Sequence, residues 1–286
     1  MYDEIDLFSY VKPKFKITKP IRLIETFAGI GSQLKSLRNL GANVESWKCI
    51  EFDQHAIDSF NAIHNTTYAP QDITQTHAQD LEIIDRESYC YILTYSFPCQ
   101  DLSLAGKQKG MTKGSGTRSG LLWEVERIID ECGDNLPHLL IMENVPQVHG
   151  TKNKEDFNKW INFLKSKGYS NYWKDLNAKD YGIPQNRNRT FMVSILGDYY
   201  YEFPKKIPLK LRLKDMLEDN VDEKYFLSDE QVSYFIKHTE EQKAKGNGFN
   251  FDPIDIERES STNSQHESVE DRQYLHQKLP WSDNWR

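Results

Sequence analysis

Alternating blocks of apolar and polar residues divide most of the chain into short strands and amphipathic helices. Apolar runs predict strands at 21–27, 46–50, 91–95, 139–142 and 191–196. Between them, apolar residues recur at helical spacing in 32–40, 53–63, 120–129 and 157–167. Strands that alternate with helices in this way are typical of α/β proteins, so we predict a doubly wound, mostly parallel sheet.

The pattern weakens after Pro204, where only two further helices are predicted, over 211–217 and 228–236. Ser228 and Gln231 stand at capping-box positions of the second helix. Residues 246–286 show little periodicity, and the polar and charged composition of 257–273 can bury little surface. The predicted layout is an N-terminal arm at 1–20, a catalytic and cofactor-binding domain at 21–205, a helical extension at 206–245, and a partial target-recognition region or disordered tail at 246–286.

Composition narrows the functional class only a little. Of 286 residues, 38% are hydrophobic and 28% are charged, and no apolar run is long enough to cross a bilayer. The acidic N-terminus has no signal-peptide core, so we expect a cytoplasmic protein without a membrane partner. The four cysteines show no CxxC spacing, and we therefore predict no metal site.

The formal net charge of −7 argues against a protein that coats nucleic acid unspecifically. A local basic groove is still compatible with it, because a phosphate backbone responds to a patch rather than to the total charge. Such a patch is available in the glycine-rich stretch after Cys99, which contains Lys107, Lys109, Lys113 and Arg118.

The first predicted strand runs into a glycine turn, Ala28-Gly29-Ile30-Gly31, followed by a helix. This arrangement is typical of the first half of a nucleotide-binding unit. Leu34 replaces the third glycine of the dinucleotide-binding motif, which argues against a pyrophosphate-binding site of the dinucleotide type.

Two acids follow at positions suited to a nucleoside. Glu51 comes 22 residues after Gly29, the spacing at which a carboxylate reaches ribose hydroxyls, although it could equally be a helix N-terminal acid. Asp72 is expected at the end of a third strand, where it could accept from an adenine amino group. Recognition of ribose and adenine without a pyrophosphate favours S-adenosylmethionine over NAD.

Cys99 and Glu143 each come near the end of a buried strand. A free cysteine is most often a small buried apolar residue, and Glu143 could be a helix cap or a paired acid. In a doubly wound sheet, however, both would lie at the carboxyl edge together with the glycine turn and Glu51. That convergence favours a functional site.

These motifs resemble those of the cytosine-5 DNA methyltransferase family. The matching segments occur in family order over about 21–200: Phe27-Ala28-Gly29-Ile30-Gly31, Glu51, Asp72-Ile73, Ser96-Phe97-Pro98-Cys99-Gln100, Glu143-Asn144-Val145 and Gln185-Asn186-Arg187-Asn188-Arg189. The resemblance implies the S-adenosylmethionine-dependent methyltransferase fold, with double-stranded DNA as the substrate.

The resemblance also implies residue roles. Cys99 would attack carbon 6 of a flipped cytosine, Glu143 would hold the ring nitrogen and amino group, and Arg189 would bind the O2 oxygen with Arg187 in support. The implied cofactor residues are Phe27, Ala28, Gly29, Gly31, Glu51, Asp72, Ile73, Pro98 and Leu121. The implied DNA contacts are Gln100, Ser103, Lys107, Arg118 and Gln185.

The C-terminal part departs from the family pattern, because a full target recognition domain and the last family motifs are not found. We therefore expect that activity could require a second polypeptide that carries them, as in a split enzyme from a restriction-modification or phage system. Two alternatives stay open: a tRNA cytosine-5 methyltransferase, and a catalytically silent cofactor-binding subunit.

Overall fold

A computed structural model describes residues 12–102, 109–216, 218 and 221–246. Its centre is a six-stranded sheet with the order β2-β1-β3-β4-β6-β5. The strands are β1 (Ile21–Thr26), β2 (Val44–Ile50), β3 (Cys90–Tyr95), β4 (Leu139–Asn144), β5 (Tyr169–Asn177) and β6 (Asn188–Leu196). The helices are α1 (Ser32–Asn39), α2 (Gln54–His64), α3 (Leu122–Glu131), α4 (Lys154–Ser166) and α5 (Asp229–Ala244).

The predicted fold class is confirmed. Strand β1 pairs in parallel with β2 and with β3, and β3 pairs in parallel with β4, whereas β6 runs antiparallel to β4. Strand β5 was not predicted, because Tyr169–Asn177 mixes polar and aromatic residues and buries only Tyr169. An edge strand needs one buried face at most, so its sequence lacks the apolar run of a central strand.

Strand β3 shows why helices lie on both faces. Tyr91, Leu93 and Tyr95 belong to the core that includes α3 and α4, whereas Cys90 and Ile92 belong to the core of α1 and α2. Alternate side chains of a strand point to opposite faces, so a fully apolar strand needs a cover on each side.

The chain divides into two units. The first comprises Met1–Leu176 and Asn188–Pro204, and the second comprises Asn177–Arg187 and Lys205–Arg286. Within the second, Tyr181 pairs with Ile207, and Lys206 Nζ lies 2.6 Å from Asp180 Oδ2.

Helix α5 in the second unit begins with the predicted capping box of Ser228 and Gln231, but it continues to Ala244. The helix predicted over 211–217 is only a single 3₁₀ turn, Leu213–Met216, in the part that the structure describes. Except for Gly246, the predicted region 246–286 lies outside the described residues.

Candidate active site

The glycine turn after β1 is open on one side and closely packed on the other. Phe27, Gly29 and Gly31 all have positive φ angles, of 56°, 53° and 79°. A Cβ added at Gly31 would lie 2.3 Å from His64 Nε2, whereas a Cβ at Gly29 would meet no heavy atom within 4 Å. Gly31 thus permits packing against α2, and Gly29 leaves room for a ligand to approach the backbone.

Glu51 joins the glycine turn to the segment after β2. Its Oε2 accepts from the Gly29 N–H and its Oε1 from the Asp53 N–H, both at 3.0 Å. Each carboxylate oxygen has a further lone pair, so the group can still accept from a ribose diol. The alternative of a helix N-terminal acid is wrong, because α2 is capped by Asp53 and begins at Gln54. Glu51 instead orients two backbone N–H groups and keeps lone pairs for a ligand.

The expectation for Asp72 is wrong in its local structure. No strand ends directly before Asp72. It caps the 3₁₀ helix Ile73–Gln75, and its Oδ1 accepts from the Thr74 N–H at 2.9 Å. An aspartate side chain readily bonds the backbone two residues on, which favours such a turn. The Gln71 N–H donates to the Glu51 carbonyl at 2.7 Å, and this brings exposed Asp72 beside the end of β2.

Two residues of this region were missed by the sequence interpretation. Phe52 directly follows Glu51 and is 72% exposed, so it offers an aromatic face beside the carboxylate. Glu25 is fully buried in β1, where its Oε1 accepts from the Leu34 N–H and its Oε2 has no hydrogen-bond partner. Burial raises the pKa of Glu25 to about 7. A lone acid inside the apolar strand could have indicated it.

Cys99 is placed by a loop that three hydrogen bonds hold. Asn144 Nδ2 donates to the Phe97 carbonyl at 2.9 Å, and Ser119 Oγ donates to the Pro98 carbonyl at 2.6 Å. The Leu102 N–H donates to the Cys99 carbonyl at 2.9 Å. Cys99 is partly exposed, so its sulfur is accessible to a ligand.

The other three cysteines are buried. Burial raises the pKa of Cys49 to about 12, and that of Cys90 and Cys132 to about 11. Thiols held protonated in this way are poor nucleophiles. Accessibility therefore singles out Cys99.

Glu143 and Arg189 meet at the same sheet edge as Cys99. Strands β3 and β4 are parallel neighbours, with Tyr95 opposite Met142, so the segments after them lie together. Because β6 is antiparallel to β4, its first residues reach the end of β4. Arg189 Nε lies 3.1 Å from Glu143 Oε1, and both side chains are partly exposed.

The remaining predicted residues fall into several groups. Ala28 and Ile73 are buried, and Pro98 and Leu121 are partly exposed. Gln100 and Arg118 are exposed in the first unit, to which Cys99 also belongs, and Gln185 and Arg187 are exposed in the second unit. Ser103 and Lys107 lie outside the described residues. Within the described ranges, no cluster of three metal-ligating side chains is found, and no helix is long and apolar enough to cross a membrane.

Comparison with known proteins gives a family match. The model of the C-5 cytosine-specific DNA methylase family matches residues 21–284. Type II methyltransferase M2.ScrFI of Lactococcus lactis subsp. cremoris is 52% identical over 49% of this chain and 38% of its own length. Orphan methyltransferase M.SssI of Spiroplasma monobiae is 34% identical over 80% of this chain and 72% of its own length.

Solved structures show the same fold. The Dnmt2 methyltransferase of S. pombe aligns with a TM-score of 0.61 and 21% identity over 77% of this chain and 67% of its own. The Entamoeba histolytica methyltransferase EhMeth aligns with a TM-score of 0.63 and 19% identity, over 75% of this chain and 65% of its own.

Proposed function

Because this chain belongs to the C-5 cytosine-specific DNA methylase family, we propose that it carries the catalytic part of a DNA cytosine-5 methyltransferase. The observation that supports this most directly is that Cys99 follows β3 at the end of the sheet where Glu143, on the neighbouring strand β4, pairs with Arg189. The chain spans 38% of the length of the M2.ScrFI relative and 72% of that of M.SssI, so the activity of a whole enzyme is part of the proposal.

S-adenosylmethionine is the proposed methyl donor, and it would supply an electrophilic methyl group on a sulfonium. Glu51 would accept from the ribose hydroxyls, Asp72 would accept from the adenine amino group, and Phe52 would offer a stacking face. The residues fit such a group, because the backbone at Gly29 is open and Glu51 keeps acceptor capacity. The pyrophosphate of a dinucleotide has no matching third glycine here, since Leu34 is buried at that position.

Cys99 would start the reaction on cytosine. Its thiolate would attack carbon 6 to form an S–C bond, and the electron pair of the 5,6 double bond would move onto carbon 5. Carbon 5 would then take the methyl group as the bond from that methyl to the donor sulfonium breaks, which leaves the donor sulfur as a neutral thioether. Loss of the proton from carbon 5 and departure of the Cys99 sulfur restore the ring. A base inside a duplex is not accessible to this sulfur, so the cytosine must leave the stack.

Glu143 and Arg189 would stabilise the charge that develops as sulfur adds. Glu143 would hold the ring nitrogen N3 and the amino group, and Arg189 would donate to the O2 oxygen. Their mutual ion pair orients both side chains before a base arrives. Arg187 is proposed to support binding of the base and Gln185 to contact DNA; both side chains are exposed.

The proposed substrate is double-stranded DNA. Exposed Gln100 and Arg118 flank the site in sequence, and Lys113, although paired with Glu126, adds a further cation there. A second polypeptide that supplies target recognition, a restriction-modification or phage context, and a cytoplasmic location stay predictions.

The test is transfer of the labelled methyl group of S-adenosylmethionine to cytosine duplexes of varied sequence, with and without candidate partner chains. We expect methylated cytosine and a covalent complex with 5-fluorocytosine DNA. Preferential labelling of tRNA would instead favour the RNA alternative. Cofactor binding without a covalent complex would favour a silent subunit, and the absence of both would contradict the proposal.

A further inference from the structure

We propose that Asp175 is a positioning residue that fixes the placement of Glu143 and Arg189. It binds His149, in the segment that follows Glu143, and Thr190, the residue that follows Arg189. The inference rests on the proposed function, and it deepens that function by adding a residue that no motif of the sequence indicates.

The contacts of the Asp175 carboxylate define the link. Asp175 lies on β5, and its Oδ1 accepts from Thr190 Oγ1 at 2.5 Å. His149 Nε2 lies 3.0 Å from Oδ1 and 3.2 Å from Oδ2 of the same carboxylate. One carboxylate on an edge strand therefore holds side chains from two other segments.

Both of these segments adjoin the proposed catalytic residues. Thr190 is fully buried and directly follows Arg189 on β6. His149 ends the 3₁₀ helix Pro146–His149, which begins three residues after Glu143. In the register of β4 and β6, Asn144 lies opposite Thr190, so Asp175 ties together the ends of the two strands at the point where Glu143 and Arg189 meet.

Aromatic packing fixes the histidine side of this link. The His149 ring lies 4.5 Å from the Trp173 ring and 6.1 Å from the Phe157 ring, measured between centroids. Trp173 itself packs edge-on against Phe157 at 5.6 Å. Because the ring cannot turn freely, the carboxylate that it binds is also held in one orientation.

The link matters because Arg189 is the second residue of β6. Strand ends open more readily than strand centres, so the contact of Thr190 with Asp175 limits opening of β6 beside Arg189. A hydroxyl bound to a carboxylate is a short and strongly directional contact. A displacement of about 1 Å in a reacting group is enough to lower turnover about 10²-fold.

The test compares Thr190→Val, which removes the hydroxyl without changing the side-chain shape, with Thr190→Ser, which retains it. We expect Thr190→Val and Asp175→Asn to lower kcat by about tenfold or more, with the KM for cofactor changed less than about twofold. Thr190→Ser should stay within about twofold of the wild type. Ser170→Ala is the matched control, because Ser170 lies near the start of β5, the strand of Asp175, and its Oγ donates to the Gly197 carbonyl.

Hydrogen exchange of the backbone amides at 143–145 and 188–191 provides a second readout that needs no turnover. We expect faster exchange in Thr190→Val and Asp175→Asn, and unchanged exchange in Thr190→Ser and Ser170→Ala. Faster exchange with unaltered kcat would reduce Asp175 to a structural residue and overturn the inference, as would unchanged exchange in both variants. A wild-type protein that fails to methylate any duplex would count against the proposed function, while the exchange measurement still decides whether Asp175 makes the link.

Discussion

The two sides of the candidate site are built by different means. The proposed cofactor side, formed by the glycine turn, Glu51 and 71–73, uses parallel strands β1 and β2 and backbone N–H groups that donate to a carboxylate. The proposed nucleophile side, formed by Cys99, Glu143 and Arg189, draws on three strands and depends on the antiparallel pairing of β6. A substitution on one side should therefore impair either methyl transfer or cofactor binding without impairing the other.

The two sides also differ in the burial and the partners of their carboxylates. On the nucleophile side, Glu143 is partly exposed and paired with Arg189. On the cofactor side, Glu25 is fully buried, and one of its oxygens has no hydrogen-bond partner. Burial disfavours the charged form of Glu25 and raises its pKa.

The largest effect is expected from Cys99→Ser. Removal of the thiolate should lower methyl transfer by at least about 10³-fold, since no other group can form the bond to carbon 6. The affinity for S-adenosylmethionine, measured by calorimetry, should change less than about twofold. Cys132→Ala, at a buried thiol of the same unit, is the control and should leave transfer nearly unchanged. A large loss of cofactor affinity in Cys99→Ser would show that the two sides are not separable.

The next effect concerns the pH dependence of stability. The pKa of Glu25 is raised from 4.5 to about 7, so this group stabilises the fold fully below pH 4.5, and that contribution is lost as the pH rises through about 7. The shift corresponds to about 3 kcal/mol. Urea unfolding at pH 5 and pH 8 should show that Glu25→Gln gains stability relative to the wild type over this range.

His138 acts with the opposite sign. Burial lowers its pKa from 6.5 to about 4, and its Nδ1 accepts from the Tyr91 N–H. Its contribution is present above pH 6.5 and is lost as the pH falls toward 4. The wild-type curve therefore sums opposing terms, and only the difference between wild type and Glu25→Gln isolates the carboxyl. An equal pH dependence of the two proteins would contradict the assignment.

A smaller effect is expected from Asn144→Ala on the nucleophile side. The Asn144 amide donates to the Phe97 carbonyl, and its oxygen accepts from the Val145 N–H, both in buried surroundings. Loss of both contacts should lower the free energy of unfolding by about 2 kcal/mol. Methyl transfer should fall more than cofactor affinity, because the Cys99 loop loses its anchor. Equal losses in both would argue against that role.

The smallest effect is expected from Glu51→Gln on the cofactor side. The amide keeps one acceptor for the backbone N–H groups but loses the charge, so the dissociation constant for S-adenosylmethionine should rise about tenfold. Covalent trapping of 5-fluorocytosine DNA at saturating cofactor should remain. Glu45→Gln is the control, because Glu45 is an exposed acid on β2 that pairs with Arg22. A similar loss in both variants would indicate a general charge effect.

Local pattern was sufficient for the elements with strong periodicity. The buried strand before Cys99, the glycine turn and the Ser228 capping box each depend on residues close in sequence, and each is confirmed. The prediction that Asp72 ends a strand was wrong, because the three residues Asp72-Ile73-Thr74 do not distinguish a strand end from the cap of a 3₁₀ turn. Strand β5 was missed because an edge strand buries too little apolar surface to leave a pattern.

By itself, the sequence determined the parallel core of the sheet and the family motifs, because burial on both faces forces long apolar strands and because a glycine turn has few alternatives. The tertiary structure decided which side chains meet. Arg189 reaches Glu143 only because β6 runs antiparallel to β4, and Asp175 reaches both His149 and Thr190 only because β5 lies at the edge beside β6. Such contacts join residues far apart in the chain, and strand order and direction fix them where local periodicity cannot.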